Sequence, residues 1–291
     1  MPSKKQYLLI TILILSALLL IFQFLRKTTK YEGFTQSQPY TIERGNQVYD
    51  AFYSQIYDKL YRTNERADYE AKQITAATYA DKESDNFLDI GCGTGAFIRS
   101  LRNLGYKATG IDKSQAMVDA APDTNGITHG DAQDPMMYDR GVFSHITCLN
   151  QTLHEIEDRT VFFRNCHYWL KPGGYFIVHI VDKSTFDPII PLGRPSILRG
   201  IELQNVKDTV IDFTDFQYKS SYKEESPDIL VQRETFTDTA THKIRENERI
   251  LYVPPSSDSI IDEIEKSGFS LIGQFTYPLQ KGHNIYICRG K

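Results

Sequence analysis

Hydrophobic and polar positions change rhythm several times along the chain. Tyr7 to Leu25 is almost wholly apolar and uncharged. Residues 44–80 show helical spacing. Val48, Phe52, Ile56 and Leu60 recur every four residues, with Tyr49, Tyr53, Tyr57 and Tyr61 as a neighbouring aromatic stripe. From 86 to 181, short apolar runs alternate with amphipathic stretches. Strands are expected at Phe87–Ile90, Lys107–Asp112, from Gly126, at Phe143–Leu149 and at Tyr175–Val181, with helices over about 95–105 and 160–170. Such alternation predicts an α/β fold with a right-handed, doubly wound parallel sheet.

Beyond Asp182 the alternation stops. A proline-rich stretch to about Asn205 reads as a long loop. Three segments of β character follow, 209–222, 229–237 and 242–253, joined by short polar turns. Ser257–Ser267 is the last helix, with Ile260, Ile261 and Ile264 inward, and Gly268 ends it. Phe269–Tyr277 and Asn284–Cys288 are two closing strands, one antiparallel to the rest. The sum is a Rossmann-like sheet of seven strands with an antiparallel last strand and an inserted β-meander.

Nineteen helical residues span roughly 28 Å, near the thickness of a hydrocarbon core. Residues 7–25 therefore predict one N-terminal transmembrane helix. A cleaved signal peptide fits less well, because no small-x-small site follows the run. The domain expectation is a tail and anchor over 1–25, a linker over 26–43, and a globular domain over 44–291 with an insertion at about 183–253.

Charge and cysteine usage narrow the partners. Net charge is -4, without the basic surplus of nucleic-acid proteins, so no nucleic-acid partner is expected. Cys92, Cys148, Cys166 and Cys288 fall at sheet or helix positions, so they read as reduced, buried residues. The seven histidines show no i, i+4 pair and the cysteines are isolated, so no metal is expected.

The chemistry centres on Asp89-Ile-Gly-Cys-Gly-Thr-Gly95. A buried strand runs into a glycine turn and a helix entered at Thr94, whose free N–H groups face whatever lies over the turn. This is a nucleotide-type site at the carboxyl end of a strand. Gly91, Gly93 and Ala96 satisfy G-x-G-x-x-G/A, which keeps a dinucleotide open. Asp89, a carboxylate pointing into the turn, would repel a pyrophosphate. The phosphate-binding G-x-x-x-x-G-K-S/T pattern is absent.

Asp89–Gly95 resembles the first motif of class I S-adenosylmethionine-dependent methyltransferases. With Asp112, Gly130-Asp-Ala132 and Leu170-Lys-Pro-Gly-Gly174, the resemblance spans about residues 45–290. It implies S-adenosylmethionine as cofactor, held at Asp89, Gly91, Cys92 and Gly93, and a small-molecule or lipid acceptor. Asp112 would accept both ribose hydroxyls. Lys113 stands where the family usually packs an apolar residue on the adenine. Asp131 would accept the adenine amino group, and the Ala132 N–H would meet a ring nitrogen. Tyr57, in a Tyr-Asp pair, would close over the methionine end, where a ring face suits a sulfonium. Asn150 opens the loop beneath the methyl group, and this loop lacks Asn-Pro-Pro-Tyr, which argues against base or amide methylation.

His154 in the same loop is either a general base or a pin for the loop. The meander is implied to be a lid, with Phe216, Tyr218, Arg245 and His242 as candidate acceptor-pocket residues. S-adenosylmethionine is made in the cytosol, so the globular part is expected there, tethered to a membrane. Two alternatives stand beside this reading: a non-catalytic cofactor-binding module, and a nicotinamide-dependent oxidoreductase.

Overall fold

The computed structural model describes residues 14–16, 36–194, 208–277 and 280–291. In chain order these form β1 (Tyr40–Arg44), α1 (Ala51–Tyr61), α2 (Thr63–Ala77), β2 (Asn86–Ile90), α3 (Ala96–Asn103), β3 (Lys107–Asp112), α4 (Gln115–Asp119), β4 (Ile127–His129), β5 (Phe143–Cys148), α5 (Thr160–Trp169) and β6 (Leu170–Val181). Then come β7 (Asp208–Asp212), β8 (Phe216–Ser226), β9 (Ile229–Asp238), β10 (Ile244–Tyr252), α6 (Ser257–Lys266), β11 (Phe269–Thr276) and β12 (His283–Gly290).

The described strands form two sheets. The larger has seven strands in the order β11-β12-β6-β5-β2-β3-β4. β2, β3, β4, β5 and β6 are parallel, and β12 runs antiparallel between β6 and β11. It is largely apolar on both faces, as befits a sheet covered on both sides. Trp169, Phe162, Phe163, Phe176 and Phe269 pack with Ile260 and Ile264 of α6 on one side. Ile74, Phe87, Phe97, Ile98 and Leu101 pack with α2 and α3 on the other. All four cysteines are free and buried.

The second sheet has five strands in the order β1-β10-β9-β8-β7. α1 covers its inner face through Phe52 and Ile56, which pack on Phe216 and Phe236. Asp50 caps α1 by accepting the Tyr53 N–H at 3.0 Å. Arg62, at φ +46°, ends α1 and opens α2.

Three expectations are corrected. The end of the expected linker is not a connector: Tyr40–Arg44 pairs parallel to β10, from Tyr40 opposite Ile244 to Arg44 opposite Glu248. The segment 209–222 is not one strand but β7 and the start of β8, parted by a turn at 213–215. The expected single-pass membrane placement is corrected as well. Apart from Ile14–Ser16 the span 7–25 lies outside the described residues, and among the described residues no helix is long and apolar enough to cross a membrane.

Candidate active site

The glycine turn after β2 is built for close approach. Gly91 has φ +67°, and a Cβ there would stand 2.4 Å from the Thr152 methyl. Gly93 has φ +55°. The turn is tied to β3, since the Gly91 N–H donates to the Ile111 carbonyl at 2.8 Å and the Gly93 N–H to Asp112 Oδ2 at 2.7 Å. Asp112 Oδ1 accepts the Ser114 N–H at 2.8 Å. Burial nevertheless pushes the Asp112 carboxyl above its ordinary range, against those two N–H donors.

A cavity of about 630 Å³ opens over the turn at the carboxyl ends of β2 and β3. Tyr57, Gly91, Gly93, Asp112, Lys113, Asp131, Ala132 and Asn150 all line it. Asp89 and Cys92 do not, which corrects their expected place in its wall. Strand alternation turns Ile90 to the cavity and Asp89 away, where it accepts the Thr147 hydroxyl at 2.7 Å. Burial pushes the Asp89 carboxyl up to about 7. Cys92 is buried against β3, where a Cβ at Gly110 would lie 2.8 Å from its Sγ.

At the adenine end, Lys113 Nζ pairs with Asp131 Oδ2 at 2.8 Å, and Asp131 Oδ1 accepts the Gln133 N–H at 2.9 Å. Burial works to raise the Asp131 carboxyl, but Lys113 and the Gln133 N–H win and hold it below its ordinary range. Beside Tyr57, Asn150 donates to the Tyr57 hydroxyl and accepts from Arg66. Arg66 Nε lies 3.6 Å from Glu70 and makes no hydrogen bond. Burial pushes Glu70 up to about 7 against the pull of Arg66. Asp58, the second half of the Tyr-Asp pair, accepts the Thr94 hydroxyl at 2.7 Å and so ties α1 to the glycine turn.

His154 is fully buried and absent from the cavity wall. Its Nε2 accepts the Val181 N–H at 2.9 Å, and Nδ1 meets the Tyr252 carbonyl at 3.1 Å. Both nitrogens are engaged and burial pulls the imidazole down to about 4, so the general-base expectation is corrected in favour of a loop pin. His179 pins the same loop, accepting the Gln151 N–H at 2.8 Å. The candidate acceptor residues are corrected too. Phe216 and Tyr218 are buried in the second sheet, Arg245 is bound to Asp50 at 2.7 Å, and His242 sits in an exposed turn.

The sequence reading missed Glu155, Tyr49, Arg66 and Arg249. Glu155 and Tyr49 line the cavity. Glu155 Oε1 accepts from the Tyr49 hydroxyl and from Arg249 Nη1 at 3.4 Å. The tyrosine stripe and the acid beside His154 were the available signals, but nothing local pairs them with β10.

The wall's charge fits one cofactor class. Asp112, Asp131, Glu155, Glu157 and Asp158 face the cavity against Lys113, itself paired. This set of acceptors suits a cation with ribose hydroxyls and offers a pyrophosphate no free counter-charge at the turn.

Comparison with known proteins agrees. Residues 88–178 match the model of a methyltransferase domain. A ubiquinone biosynthesis O-methyltransferase of Xanthomonas oryzae pv. oryzae is 29% identical over 105 residues, 33% of this chain and 43% of the relative. One of Pseudomonas aeruginosa is 30% identical over 107 residues, 33% of this chain and 44% of the relative. The matched stretch thus spans under half the length of these relatives. A Clostridium acetobutylicum S-adenosylmethionine-dependent methyltransferase superposes with TM-score 0.60 at 18% identity, covering 81% of this chain and 97% of its own. The CcbJ methyltransferase of Streptomyces caelestis gives 0.62 at 16% identity, covering 84% and 98%. Residues 88–178 thus match a methyltransferase domain, and the chain shares its fold with those two structures.

Proposed function

We propose that this protein transfers the methyl group of S-adenosylmethionine to a small-molecule acceptor. When bound, that cofactor supplies a methyl on a positively charged sulfur, already activated for displacement. The protein's own task is to hold and orient. Asp112 accepts hydrogen bonds from the ribose hydroxyls, Asp131 accepts one from the adenine amino group, and the Lys113 stem covers the adenine face. Tyr57 and Asn150 bound the methionine end. Arg66, bound to Asn150 behind the cavity wall, adds positive charge at that end, where the methionine carboxylate would lie. Holding two reactants in line is worth roughly 7–11 kcal/mol of barrier.

The observation that carries this reading is the half-buried Asp112 carboxylate, locked by two backbone N–H groups at the cavity floor. Titration calorimetry with S-adenosylmethionine tests it. Charged hydrogen bonds of about 1.5–3 kcal/mol predict that Asp112→Ala weakens binding about 10- to 150-fold. Equal affinity in the variant, or no binding to the wild type, sinks the proposal.

A further inference from the structure

We infer that Glu155 is the base of the reaction and that the acceptor is a protonated amine, an inference that rests on the methyl-transfer reading above. Glu155 ends the single 3-10 turn Thr152–Glu155 after β5. His154 points into the core and Glu155 into the cavity. Oε1 is held by the Tyr49 hydroxyl and by Arg249. Oε2 has no hydrogen-bond partner among the described residues, and the side chain is 23% exposed. The clamp is itself braced, since Arg249 also donates to the Tyr49 hydroxyl at 2.8 Å, to Tyr61 and to Gln232. A carboxylate with one oxygen fixed and the other turned to the cavity is what proton abstraction needs.

Charge selects the acceptor class. The acidic wall repels carboxylate or phosphate acceptors and attracts an ammonium. The Tyr49 and Tyr57 rings line the same cavity and favour a cation further. An ammonium has no lone pair, so it cannot attack until it loses a proton. That proton passes from nitrogen to Glu155 Oε2, which becomes a neutral carboxyl. The freed pair forms the nitrogen–carbon bond while the methyl's bond to sulfur breaks, leaving its pair on a neutral thioether. The carboxyl then returns its proton to solvent. The groups facing Glu155 are Tyr49 ahead of α1, Tyr57 on α1, Arg249 on β10 and Asp112 on β3. Burial raises the Glu155 carboxyl, Arg249 and the Tyr49 hydroxyl lower it, and Asp112 adds to the rise.

The test reads S-adenosylhomocysteine formation on benzylamine and glucosamine against catechol and protocatechuate. The amines should turn over. Glu155→Gln should lower kcat about 100- to 10,000-fold. Its S-adenosylmethionine affinity should stay within about threefold, and its residual rate should climb with pH as free amine accumulates. A second readout needs no turnover: benzylamine binding to the S-adenosylhomocysteine-loaded protein, by calorimetry, should weaken about tenfold in the variant. If Glu155→Gln loses S-adenosylmethionine binding, Tyr49→Phe replaces it, with reduced kcat expected at unchanged cofactor affinity. Turnover of the hydroxyl compounds alone, an unchanged kcat in the variant used, or no turnover in a wild type that binds S-adenosylmethionine overturns the inference. A wild type that fails to bind S-adenosylmethionine breaks the earlier reading instead.

Discussion

The two sheets share a rhythm and differ in chemistry. In the seven-stranded sheet most buried positions are apolar, as in Leu88 and Ile90 of β2 or Phe176, Val178 and Ile180 of β6, with Asp89, His145, Thr147 and His179 among the polar exceptions. In the five-stranded sheet the buried alternate positions include Tyr218 and Ser220 on β8, Gln232 and Glu234 on β9, and Arg245, Asn247 and Arg249 on β10. Glu234 Oε1 takes the hydroxyls of Tyr218 at 2.7 Å and Tyr53 at 2.9 Å, and its other oxygen has no partner. Buried charges rarely add stability over apolar residues of the same volume. One sheet is therefore chosen for stability. The other spends stability on a polar face that braces Tyr49, Tyr61 and Glu155.

The sharpest way to break that contrast is a pair of substitutions. Phe176 is fully buried against Phe162, Phe163 and Phe269. Phe176→Ala should cost about 3–5 kcal/mol by cavity formation. Arg249→Leu should cost about as much for another reason, because Glu155, Gln232 and two tyrosine hydroxyls lose their donor in a buried place. Chemical denaturation measures both. At a temperature where both variants are folded, Phe176→Ala should keep its turnover and Arg249→Leu should lose it. Equal loss of activity in the two would mean that the sheets do not divide the labour.

The same contrast explains what the sequence could tell. The seven-stranded sheet was legible because its signals are local: apolar runs, the Asp89–Gly95 turn, and the Leu170–Gly174 stop. Eight of the ten expected cofactor residues line the cavity: seven lie at or follow the carboxyl end of a strand whose position the alternation predicts, and Tyr57 comes from the aromatic stripe of α1. The two that do not, Asp89 and Cys92, follow from the pleat of β2 and from packing on Gly110. The second sheet was legible only in outline. β1 exists because Tyr40–Arg44 meets Ile244–Glu248, some 200 residues away by numbering, and nothing within five residues announces such a partner. Glu155 was hidden for a related reason. Asn150 and Gln151 adopt φ +51° and +70°, and that bend turns His154 inward and Glu155 outward. Residue type alone favoured the histidine.

Acid sharpens the comparison next. His154, His179 and His283 cluster where the loop after β5 is pinned, and burial depresses all three. His154 falls to about 4 and His283 to about 3. Between the unfolded value near 6.5 and the folded one, the unfolded chain holds a proton that the folded chain does not. Stability is therefore full above about pH 6.5 and falls as the pH drops toward the folded value. For His154 alone the loss amounts to about 3 kcal/mol once the pH is below about 4. Denaturation at pH 7.5 and pH 5 should show it, and His154→Gln should flatten that slope. A slope unchanged in the variant would remove His154 from the account. Because this pin joins β6 to the loop that opens at Asn150, which bounds the methionine end of the cavity, cofactor affinity should fall over the same pH range.

The smallest expected effect lies at the rim, where neither sheet governs. Lys113 and Asp131 pair at 2.8 Å with side chains 56% and 39% exposed. An exposed pair of this kind contributes about 0–1 kcal/mol and is screened by salt. Lys113→Leu removes the pair and gives the adenine face an apolar cover in place of an aliphatic stem. The two changes oppose each other, so S-adenosylmethionine affinity should move by no more than about threefold at moderate salt. What should change is the salt response. In the wild type, raising ionic strength loosens the Lys113 bridge that helps hold the Asp131 carboxylate in place, while in Lys113→Leu the Gln133 N–H alone holds it. Affinity measured from low to high salt should therefore be flatter in the variant. A steeper salt response, or a tenfold loss of affinity, would show that Lys113 contributes to the site with its charge rather than its stem.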